Sequence, residues 1–399
     1  MRSNRPYLSK CYKDDFFLVI ALYLSLFNII TLPFANLLRD VLVIILFLYI
    51  TLNFKRLVQG GNKTIGFLVF AYSVWMVIDS FFYNEYMHLA NVNSFLNSII
   101  KSFTVFECIF VVDIYYKKRG FSRLLDILFA YIGIMFVLSN GWIIISGFEK
   151  VLGDYYLVGT KFSSSYINFL FIVLIFFKYH YYEKKINYVG LALLAIFSIF
   201  IIIKLDCSSA LVALFLLGIF LLFRFQLQNF FPNRIIYLLC FAAIFLFIYF
   251  YNIVLNNAYV EHIIVDILGE SLTMTGRTHV YKILPEMISG KWLTGFGSGR
   301  TGLILSYYTG CSNAQNGVWQ IICENGLIGF ILYALTCLKL CSNTCKEKVS
   351  VSYYLNIYVV IMFVLGFVEI TFDTRLLVLL FIIYLYNDNS PKIIESING

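Results

Sequence analysis

Between Arg277 and Glu324 the chain collects the side chains best able to act on an anionic or hydroxylated substrate. Arg277 offers a planar guanidinium that matches phosphate oxygens, at a point where a helix N-terminus would also attract an anion. His279, two residues on, can exchange a proton near neutral pH, and His262 is a weaker candidate of the same kind. The run Gly295-Phe296-Gly297-Ser298-Gly299 is a tight glycine turn whose backbone can approach a phosphate closely, and Arg300 follows it. No strand precedes this turn and no βαβ unit surrounds it, so it is not a dinucleotide fingerprint. Gln315 and Asn316 open a long apolar run, and Asn316 is expected to cap its helix. The N–H groups and the positive dipole end of that helix then face the outer mouth. Gln320 and Glu324 stand four apart, share one helix face and draw a polar stripe down it. Plainer readings exist for each: a loop Arg or His is usually solvated surface, and a Glu in an apolar helix is often half of a structural ion pair.

Further ionisable residues fall near the same end of the expected helices: Lys161, Lys204 and Asp206, Arg39 and Asp40, Asp79, Lys101, then Glu369, Asp373 and Arg375. A basic cavity built from them would suit a phosphate-bearing lipid. As helix ends they would only snorkel to the interface, and Lys204 with Asp206 would neutralise each other. Lys101 and Glu107 lie well inside one run and are six apart, so they face different ways and are expected to pair with other helices.

The elements that position these residues follow from composition. Of 399 residues, 61% are hydrophobic and 13% charged, with a mean hydropathy of +0.83. A soluble domain carries roughly a quarter charged residues. Apolar runs of membrane-crossing length recur throughout. The chain therefore reads as all-α, a polytopic membrane protein; strict polar–apolar alternation, the mark of a β-barrel, does not occur. About twelve spans are expected, near 16–34, 37–54, 65–82, 95–115, 123–146, 163–182, 187–204, 208–225, 234–254, 317–338, 352–369 and 374–386. The first follows a basic N-terminus without a cleavage pattern and reads as a retained helix. Lys and Arg concentrate in the N-terminus and in alternate loops, as at Lys117, Lys118, Arg119 and Arg123, whereas residues 83–93 carry none. By the positive-inside rule both termini are cytoplasmic. Residues 1–254 would form helices one to nine, 255–316 a large external loop, 317–386 helices ten to twelve, and 387–399 a polar cytoplasmic tail. Within the loop, Ala258 to Gly269 has helical apolar spacing suited to a membrane surface. A second short helix is expected from Arg277 to Met287, capped by Thr275 and bent or ended near Pro285. The net charge of +8 is explained by the loops, so no nucleic-acid partner is expected. The nine cysteines form no C-x-x-C pair.

The spacing Gln315-Asn316, nine residues, then Gly326-Leu327-Ile328-Gly329 resembles the signature of the O-antigen polymerase (Wzy-type) and O-antigen ligase superfamily. In that family a His followed by Asn, Ser or Gln precedes a Gly-x-x-Gly on a membrane helix. Gly276-Arg277 with Tyr281, and the turn at Gly295 to Gly299, look like the rest of its external loop. The resemblance covers about sixty residues; beyond them it is one of topology. Two positions depart from the pattern: Gln315 stands where the family has His, and Ser209 stands where many members have an Arg, with Lys204 one turn earlier. The glycines at 326 and 329 are read as helix-packing positions.

The resemblance implies an enzyme, a glycosyltransferase that polymerises polysaccharide repeat units carried on undecaprenyl pyrophosphate at the external membrane face. Arg277 would grip the donor pyrophosphate, with Arg300, Lys204, Lys161 and Asn316 as helpers. The catalytic set would be Arg277, Glu324, His279 and Gln315. Gln cannot take up a proton near neutral pH, so the acceptor's base is left among Glu324, Asp206 and His279, and the missing His favours a polymerase over a ligase. No Asp-x-Asp occurs in the loop, so neither metal nor cofactor is expected. Implied partners are the lipid-linked oligosaccharide, the bilayer, a chain-length regulator and a flippase. The rivals are the ligase and a non-enzymatic lipid-linked oligosaccharide flippase.

Overall fold

A computed structural model describes residues 12–32, 34–58, 63–81, 92–151, 155–227, 233–267, 271, 276–341 and 351–398. The described residues form helices and connections, with one isolated β-bridge between Tyr156 and Gly159. Among the described residues nine longer helices precede the large connection, besides the short helices Phe54–Val58 and Arg224–Leu227: α1 Lys13–Ser25, α2 Ala35–Leu52, α3 Lys63–Phe81, α4 Val92–Arg119, α5 Phe121–Ile145, α6 Lys161–Tyr181, α7 Tyr188–Lys204, α8 Ser208–Leu222 and α9 Arg234–Leu255. Within the connection lie α10 Arg277–Met287 and α11 Thr301–Thr309, and after it α12 Gly317–Leu340, α13 Ser352–Leu365 and α14 Thr374–Asn398. A helix stands in each of the twelve expected segments. Among the described residues seven helices are long and apolar enough to cross a membrane, and α7, α8 and α13 are shorter apolar ones. This is consistent with a polytopic membrane protein.

Burial divides the helices by role. α13 and the first half of α14 are apolar all round and almost wholly buried, so they form the centre of the bundle. α2, α7 and α9 keep large apolar residues exposed along one side, such as Ile44, Leu48, Leu193, Ile196 and Leu239. α4 packs against α1, α2, α3, α5 and α14, and α6 packs against α5, α7, α8 and α13. α12 joins α3, α9 and α14. Ion pairs separate into two ends. Asp14 meets Lys118 and Arg119, and Asp15 meets Arg123. At the other end Arg39 meets Asp40, Lys101 meets Glu324 and Arg277 meets Glu369. Each pairing joins residues that the charge pattern assigns to the same side.

Several boundaries differ from expectation. α1 ends at Ser25, so the apolar run to residue 34 is only partly helical. Residues 26–31 leave the helix, and Ile29 O accepts a hydrogen bond from the Tyr23 hydroxyl. α14 continues to Asn398, so the polar tail starts as helix. Thr275 lies outside the described residues; Gly276, at φ 88°, precedes the first turn of α10. Pro285 sits inside that helix, near its end, without stopping it. The expected surface helix is present as a single α-turn, Ala258–His262, followed by a π-turn, Ile263–Ile267. Residues 268–270 lie outside the described set.

The main correction concerns Gly326. It does not merely admit a neighbouring helix: at φ 66° and ψ −173° it breaks α12 into residues 317–325 and 327–340. A break in a buried helix orphans main-chain carbonyls and N–H groups, and each costs several kcal/mol when left unpaired in an apolar interior. Here the preceding connection supplies nearly all the partners. Phe296 N donates to Cys323 O at 2.7 Å, and Gly297 N to Glu324 O at 2.9 Å. Leu327 N donates to Trp292 O at 2.7 Å, and Ile328 N reaches Leu293 O at 3.4 Å. Asn325 O accepts from Trp75 Nε1 at 2.7 Å. The break lies nine residues below the start of α12, or roughly 14 Å at 1.5 Å per residue. The connection is therefore partly re-entrant. It descends through residues 288–296, then climbs back through α11 to the start of α12. Trp292 anchors the descending limb against Trp319 and Phe245.

The close backbone approach requires glycine at two points. A Cβ at Gly326 would lie 2.1 Å from Leu293 O, and one at Gly295 (φ 69°) 2.6 Å from Gly326 N. Gly329 packs against Trp75, whose Cδ1 would lie 3.2 Å from a Cβ there, and that Cβ would also meet Asn325 Cβ, on the other side of the break, at 2.3 Å. Gly326→Ala should destabilise the folded chain by about 3 kcal/mol or more, because its backbone lies in a region essentially confined to glycine and a methyl group would overpack against Leu293. Gly218→Ala, where no atom lies within 4 Å, should leave stability nearly unchanged. Thermal midpoints in one detergent compare the two, and equal midpoints would refute the docking role of Gly326.

Candidate functional site

The glycine turn and α11 line one side of a half-open cavity of about 600 Å³. Its polar wall includes Arg39 from α2, Asn97 and Lys101 from α4, Ser298 from the glycine turn, and Gln320 and Glu324 from α12. Glu324 is the most heavily organised of these. Its Oε1 accepts from Lys101 Nζ at 2.8 Å and from Gln320 Nε2 at 2.8 Å, and its Oε2 accepts from Lys101 Nζ at 2.7 Å. Gln320 is itself fixed, because its Oε1 accepts from Ala314 N at 2.8 Å and leaves the amide nitrogen to donate. The i, i+4 spacing anticipated on α12 is thus used. Lys101 does pair with another helix, as its depth in the sequence implied. Glu107, also expected to pair with another helix, does not: it is fully buried, and neither carboxyl oxygen has a hydrogen-bond partner among the described residues.

A second cluster gathers at the segment between α13 and α14. Arg277, first residue of α10, donates from Nε to Val368 O at 3.0 Å and from Nη2 to Glu369 Oε1 at 2.5 Å. Tyr281, one turn later, donates its hydroxyl to Gln315 O at 2.8 Å and also reaches Phe367 O at 3.2 Å. The arginine and the start of α12 are thereby fixed to one strip of backbone. Ser209 and Lys161 also lie beside Glu369. Ser209, at the start of α8, therefore lies beside the same carboxylate as the loop arginine.

The remaining expected residues divide. Asn316 caps α12, its Oδ1 accepting from Trp319 N at 3.1 Å. Its Nδ2 donates to Ile244 O and Phe367 O, and the residue is fully buried, so it is a structural knot and not a phosphate ligand. Gln315 sits half-buried at φ 53°, held by Asn313 Oδ1 through its amide nitrogen and by Tyr281 through its carbonyl. Arg300 is 8% exposed at the start of α11 and is not among the described residues lining the cavity. The glycine turn is not an open phosphate nest, because Phe296 and Gly297 donate to α12 and Gly299 N donates to Ser98 Oγ. Lys161 donates to the Asp206 carbonyl at 2.5 Å, whereas Lys204 is exposed; the expected Lys204–Asp206 pair does not form. His279 is exposed on α10, and His262 pairs with Asp266 on the surface turn. Glu324 is thus the one of the three expected bases whose carboxylate lines the cavity.

Asn97 was not singled out from the sequence. Its spacing of four from Lys101 puts both on one face of α4, and that signal could have found it. Ser298 had no such signal, since its place in the wall follows from the docked turn.

Compared with known proteins, the chain matches no family model, no curated protein and no solved structure.

Proposed function

We propose that this protein is a repeat-unit polymerase. It moves a growing glycan from undecaprenyl pyrophosphate onto a lipid-linked repeat unit at the external face of a bacterial cytoplasmic membrane. The reading takes the twelve helices of the expected segments as spans, with both termini cytoplasmic and residues 255–316 on the external side. The observation that carries it is the cavity beside the re-entrant limb, which has an oriented carboxylate in its wall and a loop arginine at the same end of the bundle.

In the reaction, the acceptor hydroxyl oxygen bonds to the anomeric carbon of the donor glycan while the bond to the pyrophosphate oxygen breaks. The hydroxyl proton passes to a base, and Glu324 is placed for that role. The pyrophosphate leaves as an anion and needs charge stabilisation more than a strong acid. Arg277 suits this step because its guanidinium already holds one carboxylate, Glu369, which a phosphate oxygen can replace. Lys161 stands close enough to Glu369 to add a second positive charge. Gln315 cannot supply a proton, and this supports polymerase over ligase.

One observation favours a second reading. Discontinuous helices that border a polar cavity are a feature of secondary transporters, so a flippase for the same lipid-linked oligosaccharide is the alternative. Purified protein in liposomes, given synthetic undecaprenyl-pyrophosphate repeat units without nucleotide sugar, separates the two. A polymerase yields a ladder on a gel. Arg277→Ala should cut the rate at least a hundredfold, about the loss seen when one charge-stabilising donor is removed, with folding retained. Movement of lipid between leaflets without a ladder would overturn the enzyme reading.

A further inference from the structure

We propose that the cavity beside the re-entrant limb is a binding site for a neutral sugar, with Lys101 and Glu324 as a paired donor and acceptor for its hydroxyls. The inference rests on the reading of this chain as a protein that handles lipid-linked saccharides.

The argument begins with the hydrogen-bond inventory of the pair. An ionised carboxylate has about four acceptor positions, and an ammonium has three donors. Glu324 accepts three hydrogen bonds, two on Oε1 and one on Oε2, which leaves one acceptor position on Oε2. Lys101 directs two donors at Glu324 and keeps one. Its side chain is 46% exposed, against 13% for Glu324, so the remaining donor is accessible. One donor and one acceptor side by side match a hydroxyl, which both gives and takes a hydrogen bond, or two neighbouring hydroxyls of a sugar ring.

The rest of the wall fits the same ligand. Ser298 lines the cavity, and its buried Oγ has no hydrogen-bond partner among the described residues. Asn97 adds an amide one turn above Lys101 on α4, and its Oδ1 accepts from Arg39. The volume of about 600 Å³ falls within the usual range for small-ligand sites, roughly 300–1,000 Å³.

Charge decides between a neutral and an acidic ligand. Both cations of the wall are already matched, Arg39 by Asp40 at 3.0 Å and Lys101 by Glu324 at 2.7 Å. An anion entering here would have to displace a bound carboxylate, whereas a neutral polyol uses the donors and acceptors left over. The cavity is therefore distinct from the Arg277 cluster. On the reading above it takes the acceptor's sugar, while Arg277 faces the phosphates.

The test uses the full chain in lipid nanodiscs. The probe is the lipid-free oligosaccharide hydrolysed from the lipid-linked pool of the cells that encode this protein. Binding is read by saturation-transfer NMR and calorimetry. The wild type should bind, and added salt should change the affinity little, because a neutral ligand is not screened. Glu324→Gln and Lys101→Met should each weaken binding about tenfold or more, the usual cost of losing a hydrogen bond to a charged group. Ser306→Trp narrows the cavity without touching the pair, because Ser306 is an exposed residue of its wall. It should abolish binding at an unchanged thermal midpoint, which keeps the test valid if either charge variant fails to fold. Absence of wild-type binding, equal binding in all folded variants, or an affinity that falls steeply with salt would each overturn the proposal. The two readings fail separately. Binding without a polymerisation ladder leaves a saccharide site in a transporter, whereas a ladder with binding indifferent to these variants rejects only the cavity.

Discussion

Main-chain hydrogen bonding inside an apolar bundle is the constraint on which this architecture depends. Water is scarce there, so a helix can be interrupted only where other groups take over its carbonyls and N–H groups. At Gly326 that exchange is made with residues 292–297 and with the Trp75 indole. Helix and loop thus become one unit: the break would be costly without the loop, and the loop could not descend without the break. The two glycines follow from this geometry, since the chains pass too close for a Cβ at either 295 or 326.

The polar site is a consequence of the same exchange. Glu324 belongs to the turn just above the break. Its main-chain carbonyl is bound by Gly297, and its side chain is bound by Gln320 and Lys101. One residue therefore ties the re-entrant limb, the upper half of α12 and α4 together. The carboxylate is oriented before any ligand arrives, which is the condition under which a polar group binds or catalyses well. The ascending helix α11 then forms the opposite wall.

A second set of contacts fixes the loop at its outer end. Arg277 and Tyr281 of α10 hold the strip Phe367 to Glu369, and Asn316 binds the same strip from the start of α12. Arg277 is consequently a structural link between the loop and the α13–α14 connection.

Much of this was written in the sequence, because local chemistry decides it. Apolar runs of sufficient length become helices wherever they sit, so all twelve segments hold one. Asn316 caps α12, and Gln320 with Glu324 share a face, because capping and the 3.6-residue period need no tertiary information. What the sequence could not decide was partnership. Nothing local says that Lys101 meets Glu324 across more than two hundred positions, or that Arg277 meets Glu369. Nor could it show that Asn316 is used up by buried carbonyls, or that Lys161, not Lys204, contacts Asp206. Gly326 is the clearest case. In a helix pattern it reads as a place for a neighbour to pack, and only the approach of a loop thirty residues upstream turns it into a break. A close backbone contact is made by two segments at once, so neither one's sequence can announce it.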